Sequence, residues 1–279
     1  MTWDATPSQS SGASKLRGFS VPLSPQGRAG LTPAPPWFYA GNLLLVDYEA
    51  DPAAVAEVLP PGLRPDRQDP GGCVAFFVDW QYASTTGDEP TDPVRSQYHE
   101  FLLLVNAVHD DVRVQTCPYI YVDRDVSMAR GWIQGWPKKI GEVHTTRAFP
   151  LASPAAPQIA PGGRFGASLS ANGRRLAEAS LTLKRVSSDP VFLGRRPVVN
   201  VRHFPRLAAG QHDKPAVHEL VRSRLGVTRT DIWEGEATLA YHPAPDQELD
   251  ALAPRQVRRG YRYSSAFEVS DLDVLQDLT

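Results

Sequence analysis

The sequence predicts an α+β fold, a single mixed domain dominated by antiparallel β-sheet with a few short helices. The segments "CVAFFVDWQYA", "EFLLLVNAVH" and "VRVQTCPYIYV" are almost continuously apolar, which is typical of strands covered on both faces. The pair Asn172-Gly173 lies between two segments of alternating polarity and predicts a β-hairpin. No internal repeat and no linker divides the middle of the 279-residue chain, which favours one domain.

The first elements can be read in chain order. Residues 1–35 are rich in Ser, Pro, Gly and Ala, a composition that buries little surface and predicts a flexible N-terminal arm. The domain over residues 36–279 begins with the strand-forming segment "WFYAGNLLLVDYEA". In "DPAAVAEVLPPGL", Asp51 can cap a short helix and Pro52 can occupy its first turn. Pro60-Pro61 then ends this helix.

The later elements include two predicted helices and two predicted strands. The segment "KPAVHELVRSRL" has an amphipathic pattern and predicts a short helix with His218 near its middle. The segments "DIWEGEATLAYH" and "GYRYSSAFEV" have the composition of strands. The tail "LDVLQDL" predicts a last helix.

The composition is that of a soluble globular protein and excludes several classes. The chain is 42% hydrophobic with a net charge of -2, and it has no basic stripe, which argues against nucleic-acid binding. Cys73 and Cys117 are too few and too isolated for a disulfide framework or a zinc site. The N-terminus lacks the apolar region of a signal peptide, and the run "FLLLVNAV" is too short to span a bilayer. We therefore expect a cytoplasmic protein with no membrane partner.

Common catalytic and metal-binding motifs are absent from the sequence. Gly162-Gly163 and Gly166 precede a strand-like run rather than a helix, so they do not form a dinucleotide fingerprint. The seven histidines are scattered without metal-ligand spacing, so no metal site is predicted. His99, beside Glu100, is the one histidine with a candidate role, although a strand histidine with satisfied hydrogen bonds is the simpler interpretation.

The segment "ARGWIQGWPKKIGEV" places two adjacent lysines in the most aromatic part of the chain. Pro137 restricts the preceding residue to an extended conformation, so a helix over "SMARGWIQG" must end by about Gly135. Arg130 and Gln134 are four residues apart and would share one face of that helix. Lys138 then starts a strand or turn, where Trp132, Trp136 and Ile140 are expected to exclude water.

A lysine attacks a carbonyl only as the neutral amine, and its ordinary pKa is about 10.4. Lowering this pKa to near 7 requires roughly 5 kcal/mol, of which repulsion from Lys139 at about 7 Å supplies only about 2.4 kcal/mol. In an extended segment Lys138 and Lys139 also point to opposite faces. Burial among tryptophans must supply the remainder. From these residues alone, a solvated turn remains the alternative interpretation.

From about residue 36 onward, the chain resembles the acetoacetate decarboxylase superfamily. The segment "GWPKKIGEV" resembles the aromatic-Pro-Lys-Lys-aliphatic-Gly signature of that family, in which the first lysine forms a Schiff base. Three other segments agree in order and spacing, namely "WFYAGNLLLVDYEADPAAVAEVLPPGL", "QYHEF" and "IWEGEATLAYHP". The resemblance implies that Lys138 is the Schiff-base residue, that Lys139 and Trp136 tune its pKa, and that Glu100 lies near it. Acetoacetate decarboxylase is itself a well-known example of a lysine that is activated by burial or by a neighbouring cation.

The departures from the family pattern indicate a particular branch. The decarboxylase has an arginine after its entry aromatics and a glutamate in the next strand, and the resemblance places Gly41 and Phe77 there, within a residue or two. In contrast, the Arg-x3-Gln-x3-Lys ladder of Arg130, Gln134 and Lys138 resembles an aldolase-dehydratase branch of secondary metabolism. That branch acts on pyruvate-like keto acids.

The resemblance implies a cofactor-free Schiff-base lyase that condenses pyruvate with an aldehyde and then dehydrates the product. Arg130 would bind the keto-acid carboxylate and Gln134 a carbonyl or carboxylate oxygen. The remaining candidates, for proton transfer or substrate contacts, are Glu100, Glu268, Tyr98, Tyr261 and Tyr263. Alternatives are decarboxylation of a β-keto acid such as acetoacetate, or keto-acid binding without turnover. The partners would be a keto acid, an aldehyde and further copies of this chain in a homo-oligomer.

Overall fold

The structure, a computed structural model, describes residues 15–188 and 196–279, with residues 224 and 225 described only in their backbone. The chain divides into two compact units, Met1–Ala34 and Pro35–Thr279. In the described part of the first unit, Arg17 and Ser24 exchange backbone hydrogen bonds, and Thr32 donates from its N–H to Ser20 Oγ. The flexible arm over residues 1–35 and the catalytic domain over residues 36–279 remain predictions.

The second unit is built mainly of strands, as the sequence predicts. Its strands among the described residues are β1 (Trp37–Glu49), β2 (Arg64–Pro65), β3 (Gly72–Ala83), β4 (Gln97–His109), β5 (Val112–Val122), β6 (Lys138–Ile140), β7 (Glu142–Thr145), β8 (Arg164–Ala171), β9 (Arg174–Val186), β10 (Val199–Phe204), β11 (Val217–Arg229), β12 (Trp233–Tyr241) and β13 (Gln256–Asp277). The α-helices are α1 (Pro52–Glu57), α2 (Pro93–Ser96) and α3 (Asp125–Ile133), with 3-10 turns at Glu89–Thr91 and Leu249–Leu252. The predicted α+β class is confirmed.

The strands form two closed rings that have five strands in common. The order β6-β5-β4-β3-β1-β13-β12-β9-β8-β7 is antiparallel except for the parallel pair β5–β6, and β7 returns to lie against β3, β4 and β5. A second ring forms because β11 pairs with both β13 and β10, and a bridge joins Gln115 of β5 to Val198, just before β10. The strands β1, β3, β4, β5 and β13 belong to both rings.

Alternation along the shared strands gives each ring its own core, because successive side chains of a strand point to opposite faces. Leu44 and Phe77 pack in the first core, which also contains Phe101 and residues of β8 and β9. Leu43 and Val78, their neighbours in sequence, pack in a second core that is rich in aromatic residues. The near-continuous apolar runs are therefore strands covered on both faces, as predicted.

Local signals at turns and caps are confirmed. The Asp51 side chain accepts a hydrogen bond of 3.0 Å from Ala53 N, and Pro52 is the first residue of α1. At the β8–β9 turn, Asn172 and Gly173 have φ values of 52° and 73°. Positive φ at both central residues is the requirement of a type I′ hairpin turn, which explains the Asn-Gly pair.

Two predicted helices are wrong. From Val217 onward, the segment "KPAVHELVRSRL" belongs to β11, and His218 lies directly opposite His203 of β10. The tail "LDVLQDL" continues β13 to Asp277 and pairs with β11. Strand partners distant in sequence override the local helix propensity of Leu, Glu and Arg in both segments. Within the described residues, no helix is long and apolar enough to cross a membrane.

Candidate active site

Helix α3 and strand β6 meet at a break that the sequence anticipates. The helix ends at Ile133, and β6 begins at Lys138, immediately after Pro137. Gly135 has a φ of +83°, and a Cβ there would lie 2.7 Å from Val221 Cγ2, so glycine is required at this turn. The predicted helix end and the strand position of Lys138 are confirmed.

The two lysines point to opposite faces of β6. Lys138 is only 8% exposed, and its strand neighbour in β5 is Ile120. Lys139 is exposed, donates to Gln247 Oε1 at 2.6 Å, and lies 5.5 Å from the Tyr121 ring centroid. One lysine is therefore buried under α3, while the other belongs to a surface cluster.

The Lys138 ammonium group is enclosed by polar partners. Its Nζ lies 2.7 Å from Glu100 Oε2 and 3.0 Å from Ser127 Oγ, and 5.4 Å from the Tyr98 ring centroid. The other oxygen of Glu100, Oε1, accepts a hydrogen bond of 3.0 Å from Trp80 Nε1. Glu100, predicted to lie near the lysine, is in direct contact with it.

Burial lowers the pKa of Lys138, because the charged form loses its hydration. The Glu100 carboxylate opposes this effect, and the positive charge of Arg130 adds to it. Arg130 is thus a neighbouring cation that lowers this pKa, whereas Lys139, which the sequence predicts to do so, is exposed on the opposite face of the strand. Burial and then the Glu100 charge raise the pKa of Tyr98, so that its phenol stays protonated at neutral pH.

The residues that exclude water differ in part from those expected. Trp132 and Ile140 are 46% and 53% exposed, so neither shields the amine, because both point away from the buried face. Trp132 instead donates from Nε1 to the Lys138 carbonyl at 2.9 Å, which anchors the strand to the helix. Trp136 packs beside a buried cluster that contains Cys117 and is the one of the three that is largely covered.

Arg130 lies in an aromatic enclosure. Its side chain is 2% exposed, with the guanidinium carbon 3.7 Å from the Tyr82 ring centroid, 5.8 Å from that of Tyr39 and 5.9 Å from that of Tyr98. Within the described residues, Nε and Nη1 of Arg130 have no hydrogen-bond partner. Buried donors of this kind carry a desolvation cost, so they are expected where a ligand satisfies them.

Gln134 is buried beside Arg130, as their spacing predicts. Its Nε2 donates to the Arg130 carbonyl at 3.0 Å. Burial raises the pKa of Tyr39 to about 12, against the effects of Arg130 and Gln134, which both favour the phenolate. The structure thus brings Lys138, Glu100, Arg130, Gln134 and Tyr98 into one site.

The predicted candidates on β13 lie on two faces. Tyr261 and Tyr263 are buried in the same aromatic core as Tyr98, and burial raises the pKa of Tyr263 to about 12. Glu268 is exposed, and its Oε1 accepts a hydrogen bond from the Ser270 hydroxyl. The structure therefore does not bring Glu268 to Lys138, because strand alternation directs it away from the aromatic core.

Four residues of the site were not predicted from the sequence: Tyr39, Trp80, Tyr82 and Ser127. Ser127 had a usable signal, because it precedes Arg130 by three residues and so shares its helical face. The three aromatic residues alternate with exposed or half-buried neighbours on β1 and β3, but that pattern does not reveal which core they face.

The two positions at which the sequence departs from the decarboxylase pattern are both apolar. Phe77 packs 5.0 Å from Phe101, centroid to centroid, in the first core and faces away from Lys138. At Gly41 no side chain fits, because a Cβ would lie 2.3 Å from Trp80 Cε3. In residues 15–188 and 196–279, no group of three or more His, Cys, Asp or Glu residues is placed to hold a metal ion.

Comparison with known proteins gives a consistent family. The model described as "Acetoacetate decarboxylase (ADC)" matches residues 20–278. The chain is 37% identical to the enduracididine biosynthesis enzyme MppR in complex with the condensation product of pyruvate and imidazole 4-carboxaldehyde, with a TM-score of 0.89 over 96% of this chain and 100% of that one. The chain is also 37% identical to the pyruvate complex of MppR, with a TM-score of 0.87 over 95% of this chain and 99% of that one.

A third similar structure is an acetoacetate decarboxylase-like enzyme from Sphingomonas wittichii RW1. It is 28% identical, with a TM-score of 0.85 over 94% of this chain and 100% of that one. Among proteins with curated functions, none matches the chain significantly.

Proposed function

Because the chain belongs to the acetoacetate decarboxylase family, we propose that it is a lyase that forms a Schiff base through Lys138. Its reaction would be the aldol condensation of pyruvate with an aldehyde, followed by dehydration. The observation that carries the proposal is the buried Lys138 amine, which lies 2.7 Å from Glu100. Helix α3 covers this lysine and contributes Arg130, whose Nε and Nη1 have no hydrogen-bond partner among the described residues. The similarity to MppR, whose structures contain pyruvate and such a condensation product, supports it.

Glu100 is the proton carrier for the first step. It takes a proton from the Lys138 ammonium, and the neutral amine attacks the C2 carbonyl carbon of pyruvate. The carbonyl oxygen receives two protons and leaves as water, while a C=N bond forms. The protonated imine then accepts the electron pair of a methyl C–H bond, whose proton passes to a base, and an enamine results.

The enamine carbon next bonds to the carbonyl carbon of the aldehyde, whose oxygen gains a proton. A base then removes a second proton from the former methyl carbon, and the electron pair of that C–H bond forms the C=C bond as the hydroxyl group gains a proton and leaves as water. Hydrolysis of the imine releases the unsaturated product and frees Lys138. We assign the donation of a proton to Tyr98, which remains a neutral phenol and whose ring centroid lies 5.4 Å from Lys138 Nζ.

Arg130 favours this chemistry over loss of carbon dioxide. A guanidinium that binds the substrate carboxylate stabilises its negative charge, and decarboxylation would have to release that charge into the imine. Nε and Nη1 of Arg130 are the free donors for this role, and Gln134 lies beside them.

Decarboxylation of a β-keto acid is the second candidate, favoured by the family match and by the same lysine. Release of carbon dioxide from acetoacetate at a rate above that of buffer, lost in Lys138→Ala, would support it. A keto-acid binding protein without turnover would instead show a ligand-induced rise in Tm with no trapped adduct.

Borohydride reduction in the presence of pyruvate tests the Schiff base directly. The wild type should gain the mass of one reduced pyruvate adduct, and Lys138→Ala should not. Lys139→Ala is the matched control, because this neighbouring lysine lies on the exposed face and should leave labelling unchanged. Equal labelling of the wild type and Lys138→Ala would refute the assignment.

A homo-oligomeric state, a cytoplasmic location and a place in secondary metabolism are further parts of the proposal. They derive from the family resemblance and the composition. Light scattering on the purified chain measures the first of them.

A further inference from the structure

The carboxylate of Glu100 is held in one orientation by two different partners. Oε1 accepts from Trp80 Nε1 at 3.0 Å, and Oε2 faces Lys138 Nζ at 2.7 Å. Both Trp80 and Glu100 are 5% exposed, so water cannot readily replace the indole donor. If the carboxylate rotated, either the indole N–H would lose its hydrogen-bond acceptor or the ammonium group would lose its ion pair.

The indole is itself fixed by its surroundings. Its ring packs edge-on against Phe267, at 5.4 Å and 90°, and against Tyr39, at 6.4 Å and 70°. On the adjacent strand β1, Gly41 leaves the space that the six-membered ring of the indole occupies, since a Cβ there would lie 2.3 Å from Cε3 and 2.9 Å from Cζ3. The indole can therefore reach Glu100 only because residue 41 has no side chain.

We propose that Trp80, seated on Gly41, is a positioning residue that holds Glu100 in the orientation required for proton exchange with Lys138. The inference rests on the proposed function for its kinetic consequence, though not for its geometry. A hydrogen bond from a neutral donor stabilises a buried carboxylate in its charged form. Without that bond, the carboxylate is free to rotate away from Nζ, and its hold on the Lys138 proton weakens.

Steady-state kinetics of the condensation of pyruvate with imidazole 4-carboxaldehyde, the aldehyde whose condensation product with pyruvate is bound in the MppR structure, give the first test. In Trp80→Phe, which keeps an aromatic ring but lacks the N–H, kcat should fall by about 10-fold or more, because positioned proton transfer contributes roughly 100-fold or more to catalysis. KM for pyruvate should change by less than about 2-fold, since Arg130 is untouched. Trp233→Phe, in the first core, is the matched control and should keep the wild-type kcat.

A double-mutant cycle separates positioning from a general structural effect. In a Glu100→Gln background, Trp80→Phe should cause no further loss of kcat, because the group that the indole positions has already been changed. A further loss of about 10-fold in that background would overturn the proposal, as would a wild-type kcat in Trp80→Phe alone.

Reductive methylation of Lys138 by formaldehyde and cyanoborohydride gives a test that needs no substrate. The Glu100 carboxylate raises the pKa of Lys138, so weakening its hold should shift the onset of methylation to lower pH. We expect this shift in Trp80→Phe, in the same direction as in Glu100→Gln. An unchanged pH profile in Trp80→Phe, together with the shift in Glu100→Gln, would contradict the proposal.

The outcomes also separate this inference from the proposed function. If the wild type forms no pyruvate adduct, the proposed function fails, while the methylation profile still tests Trp80. If Trp80→Phe does not fold, 3-benzothienylalanine at position 80, which has a sulfur atom in place of the indole N–H, gives the same comparison with the ring size retained.

Discussion

At the scale of single residues, the buried donors of Arg130 are not explained by a purely structural role. Its guanidinium is buried against three tyrosine rings, yet Nε and Nη1 have no hydrogen-bond partner within the described residues. Contact with aromatic faces stabilises a cation by about 0.5–2 kcal/mol, which is less than the cost of burying an unpaired charge. A bound carboxylate would supply the missing acceptors.

Replacing Arg130 with methionine should therefore weaken substrate binding without unfolding the protein. We expect KM for pyruvate to rise by about 10-fold or more, because a hydrogen bond to a charged group contributes about 1.5–3 kcal/mol and 1.4 kcal/mol is a factor of ten. Steady-state kinetics measure this change. The Tm should not fall, because methionine fills the same space without an unpaired charge.

Arg124→Met is the matched control for this prediction. Arg124 is an exposed arginine that immediately precedes the same helix. Its replacement should leave KM within about 2-fold of the wild type, given the small contribution of exposed charges. A similar KM in both variants would show that Arg130 does not bind the carboxylate.

At the scale of secondary-structure elements, the contact between α3 and β6 determines the position of the lysine. A Cβ added at Gly131 would lie 2.3 Å from Lys138 Cδ, 2.6 Å from Cγ and 2.7 Å from Cε. These methylene groups are buried and cannot move aside as an exposed side chain would. The helix can lie over the lysine only because residue 131 is glycine.

Gly131→Ala should accordingly impair the site despite the higher helix propensity of alanine. Overpacking of this kind costs about 1–3 kcal/mol, against a gain of about 1 kcal/mol from propensity. We expect pyruvate trapping at Lys138 to slow by about 10-fold, because the displaced side chain moves away from Glu100 and Ser127 and is no longer held in the geometry required for attack. Time-resolved mass spectrometry of the borohydride adduct measures the trapping rate.

Gly226→Ala provides the comparison, because a Cβ there meets no atom within 4 Å. This variant should trap pyruvate at the wild-type rate. Wild-type trapping in Gly131→Ala would mean that α3 moves without disturbing the amine.

The sequence predicts a helix or strand correctly when the residues that determine its conformation lie within the same short segment. The end of α3 and the start of β6 were predictable, because Pro137 and the spacing of Arg130 and Gln134 act within one short segment. Strand β11 was not predictable, because its partners β10 and β13 impose an extended conformation on residues with helical propensity. The same pairing determines the conformation of the C-terminal tail.

At the scale of the whole molecule, the candidate site draws on strands that both rings share. β1 supplies Tyr39, β3 supplies Trp80 and Tyr82, and β4 supplies Tyr98 and Glu100. The other groups come from α3, from its C-cap Gln134 and from Lys138 of β6. The family resemblance predicts Lys138 as the nucleophile from its own short segment, but only the strand order shows that Trp80 contacts Glu100. The opposite placement of Glu268 likewise follows from which face of β13 lines the aromatic core.

The stability of the fold should depend on pH through His99. Its Nδ1 lies 2.8 Å from Asp123 Oδ2, and its backbone N donates to Asp123 Oδ1 at 2.8 Å, which ties β4 to the residues before α3. The hydrogen bond to Asp123 raises the pKa of His99, aided by the charges of Asp123 and Asp79, while partial burial and Arg147 oppose it. The protonated imidazole therefore stabilises the native state.

The sign of the effect follows from this raised pKa. The stabilisation is fully present below the unfolded pKa of about 6.5 and is lost as the pH rises through the folded pKa. We expect the free energy of unfolding of the wild type to exceed that of His99→Gln most at pH 6, and by less as the pH rises to 8 and above. Urea titrations at several pH values measure the difference.

His144→Gln is the matched control for the exchange of a histidine for a glutamine, because His144 is exposed on β7, away from Asp123. A difference between wild type and His99→Gln that is constant with pH would exclude a contribution from the charged imidazole.

The opposite orientations of Lys138 and Lys139 constrain the length of the chain that leads into β6. Side chains alternate along a strand, so inserting one residue between Gly135 and Pro137 would move Lys138 from the interior to the surface. Pro137 would then occupy the buried position beside Glu100, and Lys138 would lie about 3.3 Å farther along the strand, at the exposed position of Lys139. Homologues that keep this chemistry should therefore tolerate substitutions in this connection far more readily than changes in its length.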